Sequence, residues 1–234
     1  GWGVAIADGT GFLVGAGAVA SYLGGFWGPA IVAAGGPVAS GAVAAAGVAG
    51  IVTGAGASYN YYQENIADSA LPGSNPNSNP NNPNLPNPNY NNSTEYGVSH
   101  NELLGELIAR DKPLTQDYLY ELFVTEMTER GLTEVLNAFP KSAWIPLLDP
   151  PPFNPNPDIQ DLINQALQFV PNNLQTLFNN QTQQLLQISD YDQLQLKIDE
   201  FESTIIRNPT LSIMDKTIME GYFSTLRYSA DYWN

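Results

Sequence analysis

The chain of 234 residues contains no cysteine and a single histidine. Without cysteine it can form no disulfide framework, no thiolate metal site and no cysteine nucleophile. One histidine also leaves little material for histidine-based catalysis or a histidine metal cluster. Lysine and arginine are scarce, at eight residues against 23 acids, so the net charge is −15. A chain this acidic repels phosphate backbones, so we expect no nucleic-acid partner. Because cysteine is absent and histidine is single, we also expect no metal, and we expect no cofactor.

Charge is also missing from one long stretch of the chain. No charged residue lies between Asp8 and Glu64, a run of 55 residues, and 16 of the 21 glycines fall within residues 1–57. In residues 72–93, ten Asn and six Pro fill 16 of 22 positions, whereas residues 96–234 contain 19 acids and all eight bases. These shifts predict three parts. They are a Gly/Ala-rich segment at 1–58, a connector at 59–95 that contains the Asn/Pro spacer 72–93, and an acidic helical domain at 96–234.

The Gly/Ala-rich segment has the spacing of a glycine zipper. On a helix, residues four apart share a face, and a stripe without side chains lets two helices approach closely. Pro29 and Pro37 interrupt the segment, which predicts helices near 9–27 and 38–57. We expect its spaced glycines to drive self-association. They form the pairs Gly11/Gly15, Gly24/Gly28 and Gly50/Gly54.

Three environments could bury this segment: an interface between subunits, a lipid bilayer, or the chain's own helical domain. A bilayer needs about 20 apolar residues per span, and each half of the segment is close to that length. The segment has no Lys or Arg that would attract it to anionic lipid, which favours the two protein environments. Gly/Ala repeats also occur in strands, so periodicity alone leaves helix and strand open.

A resemblance to a known family covers residues 1–36, GWGVAIADGTGFLVGAGAVASYLGGFWGPAIVAAGG. This run is similar to the Gly-rich cores of class II, double-glycine-type bacteriocins. It is more similar to bacteriocin-like proteins of the Bacteroidota, in which a Trp and an Ala-Asp pair precede a Gly/Ala zipper, here Trp2, Ala7 and Asp8. The stretch Ser99–Leu104 resembles a His-Asn-x-x-Leu motif of secreted proteins in the same group. The resemblance implies an exported protein that can act on a bilayer.

No basic region precedes the apolar segment, as a secretory signal would require. We therefore expect a mature product, outside the cell or on its outer surface, from which the export signal has been removed. The Asn/Pro spacer predicts a solvated, semi-rigid linker, because Pro lacks an N–H group and restricts the residue before it. Asp68-Ser69-Ala70 fits the O-glycosylation pattern of Bacteroidota, which makes Ser69 a candidate site.

Residues 96–234 show the periodicity of several amphipathic helices. A capping box from Ser99 to Glu102 predicts the first start, Thr115 predicts the second, and Gly131 predicts a stop. Further helices are predicted at 132–139, 158–170, 172–187, 190–207 and 210–229. Short loops between them indicate antiparallel neighbours in a bundle. We therefore predict a mainly α fold, with a C-terminal helical bundle and an N-terminal Gly/Ala-rich glycine-zipper helical hairpin.

Catalytic chemistry is difficult to find in this domain. His100 stands beside the predicted helix cap, where a capping or surface role is more common than catalysis. Glu102 and Glu106 share a helix face, as paired catalytic carboxylates can, but exposed acids are more common there. We predict no catalytic residue. The C-terminal aromatic residues favour core packing, with a subunit contact as the alternative; the contact candidates are Tyr228, Tyr232 and Trp233.

The sequence thus predicts a non-enzymatic exported protein whose Gly/Ala segment drives self-association into a cell-surface or extracellular assembly. Its partner would be a second copy of the chain. The first alternative is a membrane-active, bacteriocin-like protein that inserts residues 9–57 into a target bilayer. A more distant alternative is an acid-dependent hydrolase that uses Glu102 or Glu106.

Overall fold

The described part of the chain is almost entirely helical. The computed structural model describes residues 2–24, 36–65, 94–148 and 158–234. Over these ranges it contains ten α-helices, one short 3-10 turn at Asn172–Leu174 and no β-strand, which confirms the predicted mainly α fold. The helices are α1 (Gly3–Gly24), α2 (Gly36–Asn65), α3 (Thr94–Arg110), α4 (Gln116–Glu129), α5 (Thr133–Ala138), α6 (Lys141–Leu148), α7 (Ile159–Leu167), α8 (Gln175–Gln187), α9 (Tyr191–Ile206) and α10 (Ile213–Tyr232).

The first two helices form an antiparallel pair, which we call the apolar hairpin. Gly11 meets Ala57, and Gly15 meets Thr53 one turn further along. A Cβ atom placed on Gly11 would lie 2.7 Å from Cβ of Ala57 and 3.2 Å from Cα of Gly54, so only glycine allows this approach. The hydroxyl of Thr53 shares its one hydrogen between the carbonyl oxygen of Ala49 in its own helix, at 2.7 Å, and that of Gly11 on α1, at 3.0 Å. The predicted glycine-zipper hairpin is therefore present within one chain.

The apolar hairpin lies inside the molecule, and we call α3 to α10 the surrounding helices. In the most apolar stretches of α1 and α2, 83% and 89% of the residues are buried. The last helix, α10, packs against α1, α2 and α3, and every residue from Gly221 to Trp233 is buried. The ring of Phe12 sits directly against Gly221, where a side chain would overlap it. The hairpin and the C-terminal helix therefore share one core.

Several local start and stop signals have the predicted roles. The Thr115 hydroxyl accepts from the backbone N–H of Tyr118 at 3.1 Å and begins α4. Gly131 follows α4 with a φ of 70°, the left-handed conformation that glycine favours. The Asp158 side chain accepts from the backbone of Gln160 at the start of α7. The Ser99 prediction is wrong, because α3 already begins at Thr94.

The helices do not stop at the boundaries that composition indicates. α1 begins at Gly3 rather than near residue 9, and α2 continues to Asn65, beyond the predicted division after residue 58. The tyrosine side chains near the end of α2 account for this extension, because Tyr59 is buried and its hydroxyl donates to the carbonyl oxygen of Lys112. Gly28, Ser69 and the spacer 72–93 lie outside the described residues. The three-part division remains a prediction.

Candidate functional site

A pair of ionisable side chains lies at the contact between the apolar hairpin and the surrounding helices. Asp8 projects from α1 and His100 from α3, and both side chains are 0% exposed. Oδ2 of Asp8 lies 3.4 Å from Nε2 of His100 and accepts a hydrogen bond from the hydroxyl of Ser229 on α10. The prediction of a capping or surface role for His100 is therefore wrong.

The hydrogen bonds around His100 determine which ring nitrogen carries the hydrogen. Nδ2 of Asn101 donates to the carbonyl oxygen of Tyr228 at 2.9 Å, so Oδ1 of Asn101 faces Nδ1 of His100 at 3.0 Å. A carboxamide oxygen only accepts, and Nδ1 must therefore be the donor. In a neutral ring this leaves a lone pair on Nε2 facing Asp8. One proton is needed between Nε2 and the carboxyl group, because two lone pairs would otherwise face each other.

Burial sets the acidity of both groups. Burial lowers the pKa of His100 from 6.5 to about 4, although Asn101 and the backbone of Gly54 favour the protonated ring. Burial also raises the pKa of Asp8 well above its ordinary value, against the opposing hydrogen bonds from Ser229, Ser58 and Trp233. A charge in this apolar interior is costly, and the pair is neutral overall when it holds one proton. We infer that it holds one proton at neutral pH.

A second buried ionic cluster joins α9 to α10. Nη2 of Arg227 donates to Oδ1 of Asp199 at 2.7 Å, and Nη1 lies 3.5 Å from Oε2 of Glu202. Arg227 and Glu202 are almost completely buried. Burial raises the pKa of Glu202 to about 7, although the charge of Arg227 opposes this shift. The cluster therefore links α9 to α10 through charged side chains.

The two glutamates considered as catalytic groups line a groove between α3 and α4. Glu102 and Glu106 are exposed and share a cavity of about 460 Å³ with Glu126, Glu129 and Arg130. Arg130 pairs with Glu126 and donates to the hydroxyl of Ser99 at 2.9 Å. Burial, then the neighbouring glutamates, raises the pKa of Glu106. The groove is acidic and internally paired, and within the described ranges no group of three or more Asp, Glu, His or Cys side chains could hold a metal ion.

The residues predicted for self-association occupy the interior of the chain where they are described. Four of the glycines are buried where α1 and α2 pack on each other, so a second chain would reach them only after the helices separate. These four are Gly11, Gly15, Gly50 and Gly54. The aromatic candidates for a subunit contact are buried among the chain's own helices, as the core-packing prediction for the C-terminal aromatic residues expects. They are Tyr228, Tyr232 and Trp233. Contact of these residues with a second chain remains a prediction.

Two described helices are long and apolar enough to cross a membrane. These stretches run from Gly3 to Leu23 and from Gly41 to Glu64, each with a mean hydropathy of 1.5. Buried core helices of water-soluble proteins have the same properties, so length and composition do not decide between a core and a bilayer. No family model, curated protein or solved structure matches the chain. Its function must therefore be inferred from its own packing and chemistry.

Proposed function

We propose that this protein is exported and non-enzymatic and that it carries a hairpin that enters lipid bilayers. In the closed structure the surrounding helices cover the apolar hairpin. In the active state α1 and α2 would leave these helices together, still packed on each other. One observation supports this proposal most: both helices are long and apolar enough to span a membrane, and both are largely buried in the closed structure.

The dimensions of the hairpin fit a bilayer. With 22 residues, α1 is about 33 Å long, close to the hydrocarbon thickness of about 30 Å. Asp8 is the only charged side chain between Gly3 and Leu23, and Glu64 ends the apolar stretch of α2. The neutral state of Asp8 is therefore the one that a bilayer could accept.

The contact between α1 and α2 also suits lipid. Transmembrane helices associate through small residues and interhelical hydrogen bonds rather than through a hydrophobic driving force. Gly11, Gly15 and Gly54 provide the close approach, and the hydroxyl of Thr53 provides the hydrogen bond to Gly11. The aliphatic side chains that now contact the surrounding helices would contact lipid instead, whereas the glycine contact would stay intact.

Self-association through the same helices is the second candidate function. The buried glycine faces of α1 and α2 are complementary, so α1 of one chain could pack on α2 of another by exchange of helices. This would produce the homo-oligomer or extracellular assembly that the sequence predicts. It requires the two helices to separate from each other, whereas insertion as an intact hairpin does not.

Release of a trapped dye from lipid vesicles tests the membrane role. The full chain should release dye from phosphatidylcholine vesicles and release less from phosphatidylglycerol vesicles, because its net charge of −15 opposes binding to an anionic surface. Light scattering after size exclusion should give the 25.3 kDa monomer in lipid-free buffer. Vesicles that stay intact at both compositions would contradict insertion, and a large defined oligomer would favour assembly.

A crosslink within the hairpin separates the two candidates. Gly11→Cys with Ala57→Cys places two thiols on facing helices, in a chain that has no other cysteine. Their Cβ atoms would begin 2.7 Å apart and a disulfide needs about 3.8 Å, so the joined helices must move apart by about 1 Å. The disulfide would prevent exchange of α1 between chains but would leave the hairpin free to move as one unit. We expect dye release to persist in the oxidised variant. Loss of release on oxidation, with recovery on reduction, would indicate that the helices must separate.

A further inference from the structure

The Asp8–His100 pair is part of a polar cluster that joins the hairpin to the surrounding helices. Asp8 comes from α1, Ser58 from α2, His100 from α3 and Ser229 from α10, and Trp233 directly follows α10. Oδ1 of Asp8, Oγ of Ser58, Nε2 of His100 and Nε1 of Trp233 are buried and make no hydrogen bond of ordinary geometry. Ser58 and Trp233 still lie close enough to favour the ionised form of Asp8 weakly, against its burial.

We propose that one proton shared between Asp8 and His100 holds the apolar hairpin against α3 and α10, and that loss of this proton releases the hairpin. The proposal follows from the closed structure alone. It goes beyond the membrane role, because it concerns the release of the hairpin and not what the released hairpin meets. Asp8 is ionised in the released hairpin above pH 6.5 and would take up a proton again on entering a bilayer.

The direction of the pH dependence follows from the number of protons on the pair. After release, Asp8 ionises near 3.8 and His100 near 6.5, so the released pair holds one proton between these values and none above 6.5. The closed pair holds one proton from about pH 4 upward. Between about pH 4 and 6.5 the counts are equal, and the pair makes no pH-dependent contribution. Above 6.5 only the closed pair retains its proton, so rising pH favours release.

Few titratable groups surround the pair. Tyr61 of α2 and Tyr232 of α10 face Asp8, and burial and then the charge of Asp8 raise the pKa of each, to about 12 for Tyr232. Both tyrosines therefore stay neutral over the range in which the pair releases its proton. Burial and the hydrogen bonds of Ser229, Ser58 and Trp233 determine the pKa of Asp8. The nearest strongly basic group on α10, Arg227, is bound to Asp199 and Glu202.

Proton release on unfolding tests the proposal in the full chain without lipid. Asp8→Asn retains the shape of Asp8 and donates an N–H to Nε2 of His100 without a titrating proton. At pH 7.5, urea unfolding of the wild type should release one proton more than unfolding of Asp8→Asn. The closing equilibrium of the wild type should also weaken about tenfold per pH unit above 6.5, relative to the variant, until the closed pair ionises.

Glu134→Gln is the matched control, because it removes an exposed carboxyl group on α5. It should reproduce the proton release and the pH slope of the wild type. Equal proton release from the wild type and Asp8→Asn would overturn the proposal. These measurements need no vesicles, so a failure of the membrane role would leave their outcome unaffected.

The wild type alone provides a second test, should Asp8→Asn not fold. His100 is the only histidine, so its ring gives one set of NMR signals. The signals should not titrate between pH 5.5 and 7.5, whereas an ordinary titration near pH 6.5 would overturn the shared proton. Hydrogen exchange, corrected for its intrinsic pH dependence, should show opening of α1 and α2 increasing about tenfold per pH unit above 6.5. Opening that is independent of pH would also overturn the proposal.

Discussion

The contact between Gly15 and Thr53 gives the sharpest test of how closely α1 approaches α2. A Cβ atom on Gly15 would overlap Oγ1 of Thr53 and lie 2.7 Å from its Cβ and Cγ2. Both residues are buried, so Gly15→Ala must push the helices apart or rotate Thr53. Overpacking of this kind costs about 1–3 kcal/mol. Rotation of Thr53 also breaks the hydrogen bond that its hydroxyl shares between Ala49 and Gly11, which contributes about 1 kcal/mol.

The gain in helix propensity from Gly to Ala offsets about 1 kcal/mol of this loss. We therefore expect Gly15→Ala to lower the free energy of unfolding by about 2 kcal/mol. For a chain of this length, thermal unfolding followed by circular dichroism should show a Tm lower by about 4–8 °C.

Gly105→Ala is the matched control on α3. A Cβ atom there would meet only the hydroxyl of Tyr232, at 3.8 Å, so the substitution adds helix propensity without a clash. It should raise the stability by about 0.5–1 kcal/mol. If Gly15→Ala stabilised the protein as Gly105→Ala does, the two helices could not be in close contact at Gly15.

Two further predictions concern the cluster on α9 and α10. Arg227→Met should destabilise the fold by about 3 kcal/mol in urea unfolding, because it leaves Glu202 buried without its partner, and adding Glu202→Gln should restore much of the loss. Burial raises the pKa of Glu202 from 4.5 to about 7. Its contribution to the free energy of unfolding is therefore complete below pH 4.5, and about 3 kcal/mol of it is lost as pH rises from 4.5 through 7. Glu202→Gln should remove this slope between pH 4.5 and 7.5, and an unchanged slope would contradict the assignment.

Local signals in the sequence predict much of the helical framework. Thr115 and Gly131 act within one turn of their own helix ends, and the structure confirms both positions. The helix predicted from residue 158 is also present, with Asp158 as its N-cap. The apolar hairpin is also predictable, because two long uncharged runs separated by proline leave few other arrangements. The α6 helix is not predicted, because Pro146 lies inside it and disfavours a helix locally. The burial of Trp144 in the core stabilises this helix nonetheless.

The buried pair could not be predicted from local pattern. Ser99 and Glu102 match a capping box, but α3 extends back to Thr94 because Tyr96 packs on Phe12 and Gly97 allows close contact with α10. This extension moves His100 from a helix end into the interior. Asp8 and His100 are 92 positions apart, and only the tertiary fold brings them together. The available signal was the coincidence of a lone histidine with a lone acid inside an apolar segment.

On our proposal, the hairpin must leave the surrounding helices in order to act. Gly9→Cys with Leu226→Cys tests this directly, since a Cβ atom on Gly9 would lie 2.9 Å from Cγ of Leu226 on α10. The chain has no other cysteine, so the disulfide would join α1 to α10. We predict that the oxidised variant leaves phosphatidylcholine vesicles intact and that reduction of the same sample restores dye release. Equal dye release before and after reduction would contradict the account.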